Sequence, residues 1–166
     1  MVSVEWFTVA LVVSKLFNIV KPDNAYFGQK DWQQFAIIKQ FARELKFDLV
    51  LHSTPTMRES DGLAMSSRNS RLSDAQRRNA IIFYQALLAA KESFNAGKEI
   101  PFVKNMVKDM IDKKEGVSLD YFEVAESKNL NVLEIVKGAE KPIMCIAGYV
   151  GDVRLIDNMF LDKLTG

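Results

Sequence analysis

Histidine is almost absent from this 166-residue sequence, in which His52 is the only one. Chemistry that needs a pair of histidines would therefore have to draw on residues outside this sequence. Cysteine is equally scarce: Cys145 stands alone, in the apolar run at residues 143–147. We interpret Cys145 as a buried, reduced thiol and not as a catalytic one, because no histidine lies near it in sequence. Such thiols persist in a reducing, cytoplasmic setting.

Neither a dominant charge nor a long apolar run is present. The 22 basic and 21 acidic residues leave a formal net charge of +1, so no bulk field favours nucleic acid or an anionic membrane. The apolar stretch at residues 7–20 is shorter than the roughly 20 residues that span a bilayer, and no basic segment precedes it. We predict a buried amphipathic helix there. No His, Cys and Asp cluster has metal-ligand spacing, so no metal site is predicted.

The first part of the chain has the pattern of a parallel α/β sheet. After the helix at 7–20, we predict a strand at 24–27, a helix at 31–46 and a strand at 48–53. Strand, glycine turn, helix and strand in this order indicate a βαβ unit. Ligands of such sheets bind at the carboxyl ends of the strands, which is where Gly28 falls.

A long polar loop is predicted at residues 54–70, which include Pro55 and Gly62. Loops of this length inside a compact domain are usually either functional or disordered. Apolar Leu63, Ala64 and Met65 within it indicate a loop that docks on another part of the protein.

The remainder of the chain is typical of a small α+β unit. Ser73 is the predicted N-cap of a long helix through residue 95, with Gly97 as its stop. It is followed by a helix at 101–114 and by strands at 119–125, 142–149 and 153–156. We place a boundary near Leu72, so that residues 1–72 form an α/β domain and residues 73–166 a small α+β domain.

Two short segments carry residues that could bind a phosphate chain. In the first, Gly28 allows the backbone to turn tightly and a ligand to approach closely, Lys30 supplies a cation, and Asp31 begins a helix whose free N–H groups favour negative charge. In the second, residues 66–68 offer two serine hydroxyls and an arginine guanidinium. Each segment alone is also typical of an ordinary helix cap or a solvated serine loop. The βαβ geometry brings both to one sheet edge, which favours the functional interpretation.

The other polar residues carry weaker signals. Gln33 and Gln34 lie on the first turn of the second helix, and one of them is expected to face a cleft. We interpret His52 as a packing or surface residue, and Arg77 and Arg78 as part of a solvated helix face.

These residues resemble those of the pantothenate synthetases, a family also called pantoate–β-alanine ligases. The resemblance covers nearly the whole chain from about Val9, and the Gly-Leu-Ala-Met-Ser-Ser-Arg-Asn run at 62–69 is highly specific. The matching segments are Val12-Val13-Ser14-Lys15-Leu16-Phe17-Asn18, Pro22-Asp23, Ala25-Tyr26-Phe27-Gly28-Gln29-Lys30-Asp31, Gln33-Gln34, Arg58-Glu59-Ser60-Asp61 before that run, Leu119-Asp120-Tyr121, and Gly151-Asp152-Val153-Arg154-Leu155-Ile156-Asp157-Asn158.

The resemblance implies a fold like that of the class I aminoacyl-tRNA synthetases. The chain would hold the C-terminal part of a Rossmann-like domain that binds ATP and pantoate, followed by a small C-terminal lid domain. The implied reaction joins pantoate to β-alanine through a pantoyl adenylate, with release of pyrophosphate and then AMP. The implied partners are ATP with Mg²⁺, pantoate and β-alanine, and the full-length enzyme would be a cytoplasmic homodimer.

The resemblance also implies roles for the candidate residues. Lys30 and Arg68 would stabilise the phosphates and the transition state, Gln34 would hydrogen-bond pantoate, and the main chain of Met57 would contact adenine. Gly28 and Asp31 would lie near the ribose. The complete set expected to contact ATP is Gly28, Gln29, Lys30, Asp31, Met57, Met65, Ser66, Ser67 and Arg68.

The sequence departs from the family pattern in two places, and one segment typical of the family lies outside it. Gln29 stands where the family usually has Glu, and residues 5–8 stand where it usually has His-Phe-x-Gly. The family's His-x-Gly-His segment belongs upstream of the matching region. The chain therefore resembles the C-terminal portion of the enzyme, and we expect it to lack ligase activity alone. A non-catalytic nucleotide-binding module, a structural fragment and an adenylate-forming ligase for a different acid remain as alternatives.

Overall fold

The computed structural model describes the backbone of residues 4–161 and the side chains of residues 8–161. The chain divides after Thr56 into two compact units. Helices and strands are mixed in both units, as the predicted α/β class requires. Across the described residues, no helix combines the length and the hydropathy of a membrane span.

The first unit is a βαβ arrangement preceded by a helix. Its elements are α1 (Val4–Val20), β1 (Asn24–Gly28), a 3-10 turn (Gln29–Asp31), α2 (Trp32–Glu44) and β2 (Val50–Thr54). β1 and β2 are parallel, with Gly28 opposite Thr54 at their carboxyl ends. The predicted βαβ unit is confirmed.

Apolar side chains join the two helices of this unit to its sheet. Phe17 of α1 and Ile38 and Ala42 of α2 are buried together. Ala25, Phe27, Leu49 and Leu51 from the strand segments pack against them. This packing holds the carboxyl end of β1 and the start of α2 in place, which is where the first candidate segment lies.

The second unit packs helices against an antiparallel sheet. Its elements are α3 (Asp74–Ala80), α4 (Ile82–Asn95), α5 (Ile100–Asp112), β3 (Val117–Glu126), β4 (Pro142–Val150) and β5 (Val153–Phe160). The strands lie in the order β3-β4-β5. Fully buried Leu87 and Phe94 of α4, Val107 of α5 and Met144 and Ile146 of β4 belong to one core.

The predicted cap at Ser73 is confirmed, and the long helix after it is divided. The Ser73 hydroxyl accepts from the Gln76 N–H, and the Gln76 side chain accepts from the Ser73 N–H, which is a capping box. The helix predicted through residue 95 is interrupted at Ile81. Because Ile81 keeps helical dihedrals (φ −59°, ψ −22°), the interruption is a local break in hydrogen bonding.

β5 is longer than its sequence pattern predicts, since it continues beyond Ile156 to Phe160. The polar pair Asp157 and Asn158 resembles the end of a strand, yet both residues stay in register with β4 and are buried. The charge of Asp157 is tolerated there because Arg58 pairs with it.

The division between the units lies before the boundary predicted near Leu72. Residues 57–72 are part of the second unit. Leu63 of this segment lies in the core of that unit, and Arg58 pairs with Asp157 of β5. These contacts join residues far apart in sequence, so the succession of helix and strand patterns could not indicate them.

Candidate functional site

The first candidate segment begins where β1 ends. Gly28 is extended, with φ −68° and ψ 132°, so its backbone does not require glycine. A Cβ atom built on Gly28 would meet no heavy atom within 4 Å. The tight turn expected at this position is therefore not what the glycine provides. Instead, Gly28 leaves open space beside the carboxyl end of the parallel strand β1, where ligands of such sheets bind.

The next residues lead into α2. Asp31 occupies the N-cap position but makes no side-chain capping hydrogen bond. The alternative interpretation, in which this segment merely caps a helix, is therefore not supported at Asp31. Lys30 is half-buried. Gln33 and Gln34 are also both half-buried, so burial does not decide which of them faces a cleft.

His52 is a packing residue, as predicted. Its ring stacks on that of Tyr26, with the centroids 4.8 Å apart and an interplanar angle of 17°. Its Nε2 atom lies 2.8 Å from the Asn24 side-chain oxygen. These two contacts account for the histidine without a ligand.

The second candidate segment belongs to residues 57–72, which we call the serine loop. It opens with a short hairpin in which the Glu59 N–H donates to the Leu63 carbonyl and the Met65 N–H to the Met57 carbonyl, both at 2.9 Å. Leu63 and Ala64 are buried, which confirms that the loop docks, whereas Met65, the third apolar residue of that prediction, is exposed. Met57 and Met65 are exposed side by side on the hairpin.

Arg58 ties the hairpin to the body of the second unit. Its guanidinium donates to both carboxylate oxygens of Asp157, at 2.6 and 3.0 Å, and to the Gly62 carbonyl at 3.1 Å. It also lies over the Tyr84 ring, 4.1 Å from the centroid. Gly62 has φ +92°, and a Cβ there would lie 2.4 Å from the Tyr84 ring. Both the backbone conformation and the close ring therefore favour glycine at this position.

Arg77 of α3 holds two carboxylates of the same hairpin. One of its nitrogens lies 2.7 Å from the Glu59 carboxylate and 2.9 Å from that of Asp61. Hydrogen bonds from Arg77 and Asn69 lower the pKa of Glu59. The Leu63 backbone N–H, and then Arg77, lower the pKa of Asp61. Arg77 is therefore half-buried and ion-paired, which the prediction of a solvated helix face did not include, whereas Arg78 is exposed as predicted.

Asn69 links the hairpin to the serines. Its buried side-chain amide donates to Glu59 and to the Ala64 carbonyl, both at 3.1 Å. Its own N–H donates to the Ser66 carbonyl at 3.0 Å. The Asn69 side chain therefore attaches the turn from Ser66 to Asn69 to the hairpin, and its backbone N–H closes the turn.

The serines and Arg68 lie at the start of a 3-10 helix (Ser67–Arg71). The Ser66 hydroxyl caps this helix by accepting from the Arg68 N–H at 3.2 Å, and its proton can still be donated to a ligand. Ser67 and Arg68 are exposed. Within residues 8–161, Arg58 and Arg77 have carboxylate partners whereas the Arg68 guanidinium has none. Two hydroxyls and an available guanidinium on a fixed turn can bind anionic oxygens.

The candidate residues thus form two groups, one on each unit. Gly28, Gln29, Lys30, Asp31 and Gln34 lie together on the first unit, and Met57, Met65, Ser66, Ser67 and Arg68 lie together on the second. Sequence reasoning missed the residues that support the second group. They are Arg58, Glu59, Asp61, Asn69, Arg77, Tyr84 and Asp157. The available signal was the concentration of charge at residues 58–61, with one basic and two acidic residues among four.

Thiol chemistry at Cys145 and metal binding by side chains were the two remaining possibilities. Cys145 is buried, and burial raises the pKa of its thiol to about 12, so it is protonated at neutral pH and is not a nucleophile. In the described part of the chain, no three His, Cys, Asp or Glu side chains are grouped as metal ligands.

Comparison with known proteins gives a consistent result. The family model described as Pantoate-beta-alanine ligase matches residues 4–160. The pantothenate synthetase of Caldicellulosiruptor bescii is 44% identical over 155 residues, covering 93% of this chain and 54% of that protein. The pantothenate synthetase of Pelotomaculum thermopropionicum is 45% identical over 157 residues, covering 94% and 55%. The chain therefore spans about half the length of the curated relatives it matches.

Solved structures agree. The crystal structure of pantothenate synthetase from Thermus thermophilus matches with a TM-score of 0.84 and 36% identity, over 91% of this chain and 54% of that one. The pantoate-β-alanine ligase from Francisella tularensis, complexed with β-γ ATP and β-alanine, matches with a TM-score of 0.65 and 29% identity, over 95% and 50%.

Proposed function

Because this chain belongs to the pantoate–β-alanine ligase family, we propose that it carries much of the ATP-binding site of an enzyme that joins pantoate to β-alanine. In the first step, a pantoate carboxylate oxygen attacks the α-phosphorus of ATP, and pyrophosphate leaves. In the second step, the β-alanine amine attacks the carbonyl carbon of the pantoyl adenylate. AMP leaves, the amine loses a proton, and pantothenate forms.

The observation that carries this proposal is the fixed turn that presents Ser66, Ser67 and Arg68. Adenylation adds negative charge at the α-phosphate and on the departing pyrophosphate, so positioned cations and hydroxyl donors stabilise the transition state. In our proposal Arg68 and the two serines bind phosphate oxygens from the second unit. Lys30 supplies the matching cation from the first unit.

The other candidates take the positions that bind the rest of the nucleotide and the acid. Gly28 leaves room for the ribose, and Asp31, with no capping bond of its own, accepts from a ribose hydroxyl. The main chain of Met57 contacts adenine, and exposed Met65 lies beside it. Gln34 binds pantoate. Gln29 contributes a backbone contact and no charge.

We propose three properties of the whole enzyme that accompany this site. Mg²⁺ is held mainly by the phosphates of ATP and by water, since no protein metal cluster exists among the described residues. The enzyme works as a homodimer, and in the cytoplasm. We keep one alternative, a nucleotide-binding module without catalysis, because the chain spans about half of its relatives and has one histidine.

Calorimetric titration of this chain with ATP·Mg²⁺ tests the proposal. We expect saturable binding that Lys30→Ala and Arg68→Ala each weaken about tenfold or more, since each removes a charge-assisted contact. The matched control is Arg71→Ala, an exposed arginine in the last turn of the same 3-10 helix. Absence of binding, or equal loss in Arg71→Ala, would contradict the assignment. Binding without any ligase activity in the completed enzyme would favour the non-catalytic module.

A further inference from the structure

The serine loop is held by a partly exposed arginine that the proposed chemistry does not use. Arg77 reaches two carboxylates on one hairpin, those of Glu59 and Asp61. Single surface ion pairs contribute little, but one planar guanidinium that satisfies two carboxylates restricts the backbone between them. We propose that Arg77 is a positioning residue that holds the serine loop in the form that presents Ser66, Ser67 and Arg68. The functional part of this inference rests on the proposed ATP site.

The route from Arg77 to the serines is continuous. Both carboxylate oxygens of Glu59 accept hydrogen bonds from Arg77, and the Asn69 side chain donates to the same carboxylate. The Asn69 backbone then donates to the Ser66 carbonyl, and its side chain donates to that of Ala64. Loss of Arg77 therefore removes the counter-charge of Glu59 and loosens the contact that orients the serine turn.

A second branch acts on the tip of the hairpin. Asp61 accepts from Arg77 with one oxygen and from the Leu63 N–H, at 3.1 Å, with the other. Leu63 is a core residue, so this branch fixes the hairpin against the body of the unit. Arg58 anchors the same hairpin, but its partner Asp157 is buried. Its removal would destabilise the whole unit, whereas that of Arg77 affects the loop alone.

Hydrogen exchange of the hydrogen-bonded backbone amides of the loop measures this directly. In Arg77→Met, we expect the protected amides of Gly62, Leu63 and Met65 to exchange about two- to thirtyfold faster, the range that loss of two partly exposed ion pairs gives. Amides of β4 and β5 should keep their wild-type rates. Arg78→Met is the matched control, because Arg78 is the exposed neighbour of Arg77 on the same helix.

A conservative variant separates the effect of the guanidinium fork of Arg77 from the effect of its charge. Arg77→Lys keeps the charge but lacks the fork that reaches both carboxylates, so its exchange rates should lie between those of the wild type and Arg77→Met. If Arg77→Met does not fold, Glu59→Gln, which removes one branch, is expected to speed exchange of the same amides. Unchanged exchange in the loop, or equal acceleration throughout the second unit, would overturn the proposal.

Nucleotide affinity gives the functional measurement. Arg77→Met should weaken ATP·Mg²⁺ binding in the wild-type background and weaken it less in a Ser67→Ala background, because both changes act through the same turn. Equal losses in the two backgrounds would show that Arg77 does not act through the serines. If the wild-type chain binds no ATP, the proposed ATP site fails for this chain, and the exchange measurement still decides whether Arg77 holds the loop.

Discussion

Three arginines near the serine loop have three different environments. Arg58 makes a bidentate pair with Asp157, whose side chain is only 5% exposed. Arg77 is shared between two carboxylates near the surface, and Arg68 has no carboxylate partner among the described residues. Each environment suits one role: Arg58 anchors, Arg77 positions and Arg68 remains available for an anionic ligand. Residue type and spacing alone could not separate these roles.

Asp157→Asn tests the anchoring role of Arg58. The change keeps the side-chain volume but leaves a partly buried guanidinium without its counter-charge, so we expect the free energy of unfolding to fall by about 2–4 kcal/mol. Asp120→Asn is the control, because its pair with Arg154 is exposed (39% and 41%) and should cost less than about 1 kcal/mol. Urea denaturation of both variants measures the difference. Equal losses would show that burial does not strengthen the dependence on Asp157.

At the scale of elements, α4 shows how a local signal can be read from sequence. The chain leaves this helix through Gly97, at φ +78°. The Gly97 N–H donates to the Phe94 carbonyl and the Lys98 N–H to that of Ser93, which together form a Schellman motif. A glycine after a helical pattern predicts this ending, and Ser73 predicts the start of α3 in the same way.

α2 ends in the same motif without that signal. Lys46 takes the left-handed position at φ +55°, and its N–H donates to the Arg43 carbonyl while the Phe47 N–H donates to that of Ala42. Phe47 then packs on Phe41, with ring centroids 5.6 Å apart. The apolar contact, and not the residue at the turn, stabilises this ending. The helix was predicted to end at residue 46, two residues after the observed end at Glu44.

Exchanging the residues at these two turns should have opposite effects. Lys46→Gly removes the left-handed strain of a residue with a Cβ, which outweighs the added freedom of the unfolded chain, so we expect a gain of about 0.5 kcal/mol. Gly97→Lys introduces that strain and should cost about 1 kcal/mol. Denaturant unfolding, followed by amide exchange in each unit, measures both. A loss in Lys46→Gly would mean that the lysine side chain contributes more than its backbone strain costs.

The features that could not be predicted from the sequence are contacts between residues far apart in the chain. The βαβ unit, the cap at Ser73 and the docking of Leu63 follow from periodicity and local chemistry. The support of the serine loop by Arg77 and the burial of Asp157 within β5 depend on partners that no local pattern names. Residue chemistry and the resemblance both identified the serines themselves, but neither gave a reason for their geometry. The structure provides that reason in the hydrogen bonds of Glu59 and Asn69.

For the whole molecule, the most important fact is that the candidate residues do not all lie on one unit. Lys30 lies on the first unit and Arg68 on the second. The chain also spans about half the length of the relatives it matches. Its match to the Caldicellulosiruptor bescii protein, for example, covers 54% of that protein. Binding of a nucleotide could therefore be present in this chain while catalysis, which needs all substrates placed together, is not.

We expect this chain alone to form no pantothenate from ATP·Mg²⁺, pantoate and β-alanine, measured by mass spectrometry of the product. Adding the part of the Caldicellulosiruptor bescii pantothenate synthetase that this chain does not match should restore product formation, because it supplies the remaining groups that position the acid and the amine. In that mixture, Arg68→Ala should lower the rate by about a hundredfold or more, the usual effect of losing a preorganised group that stabilises developing charge. Arg71→Ala should keep most of the rate. Product formation by this chain alone would contradict the prediction, and it would mean that the residues carrying the chemistry all lie within these 166 positions.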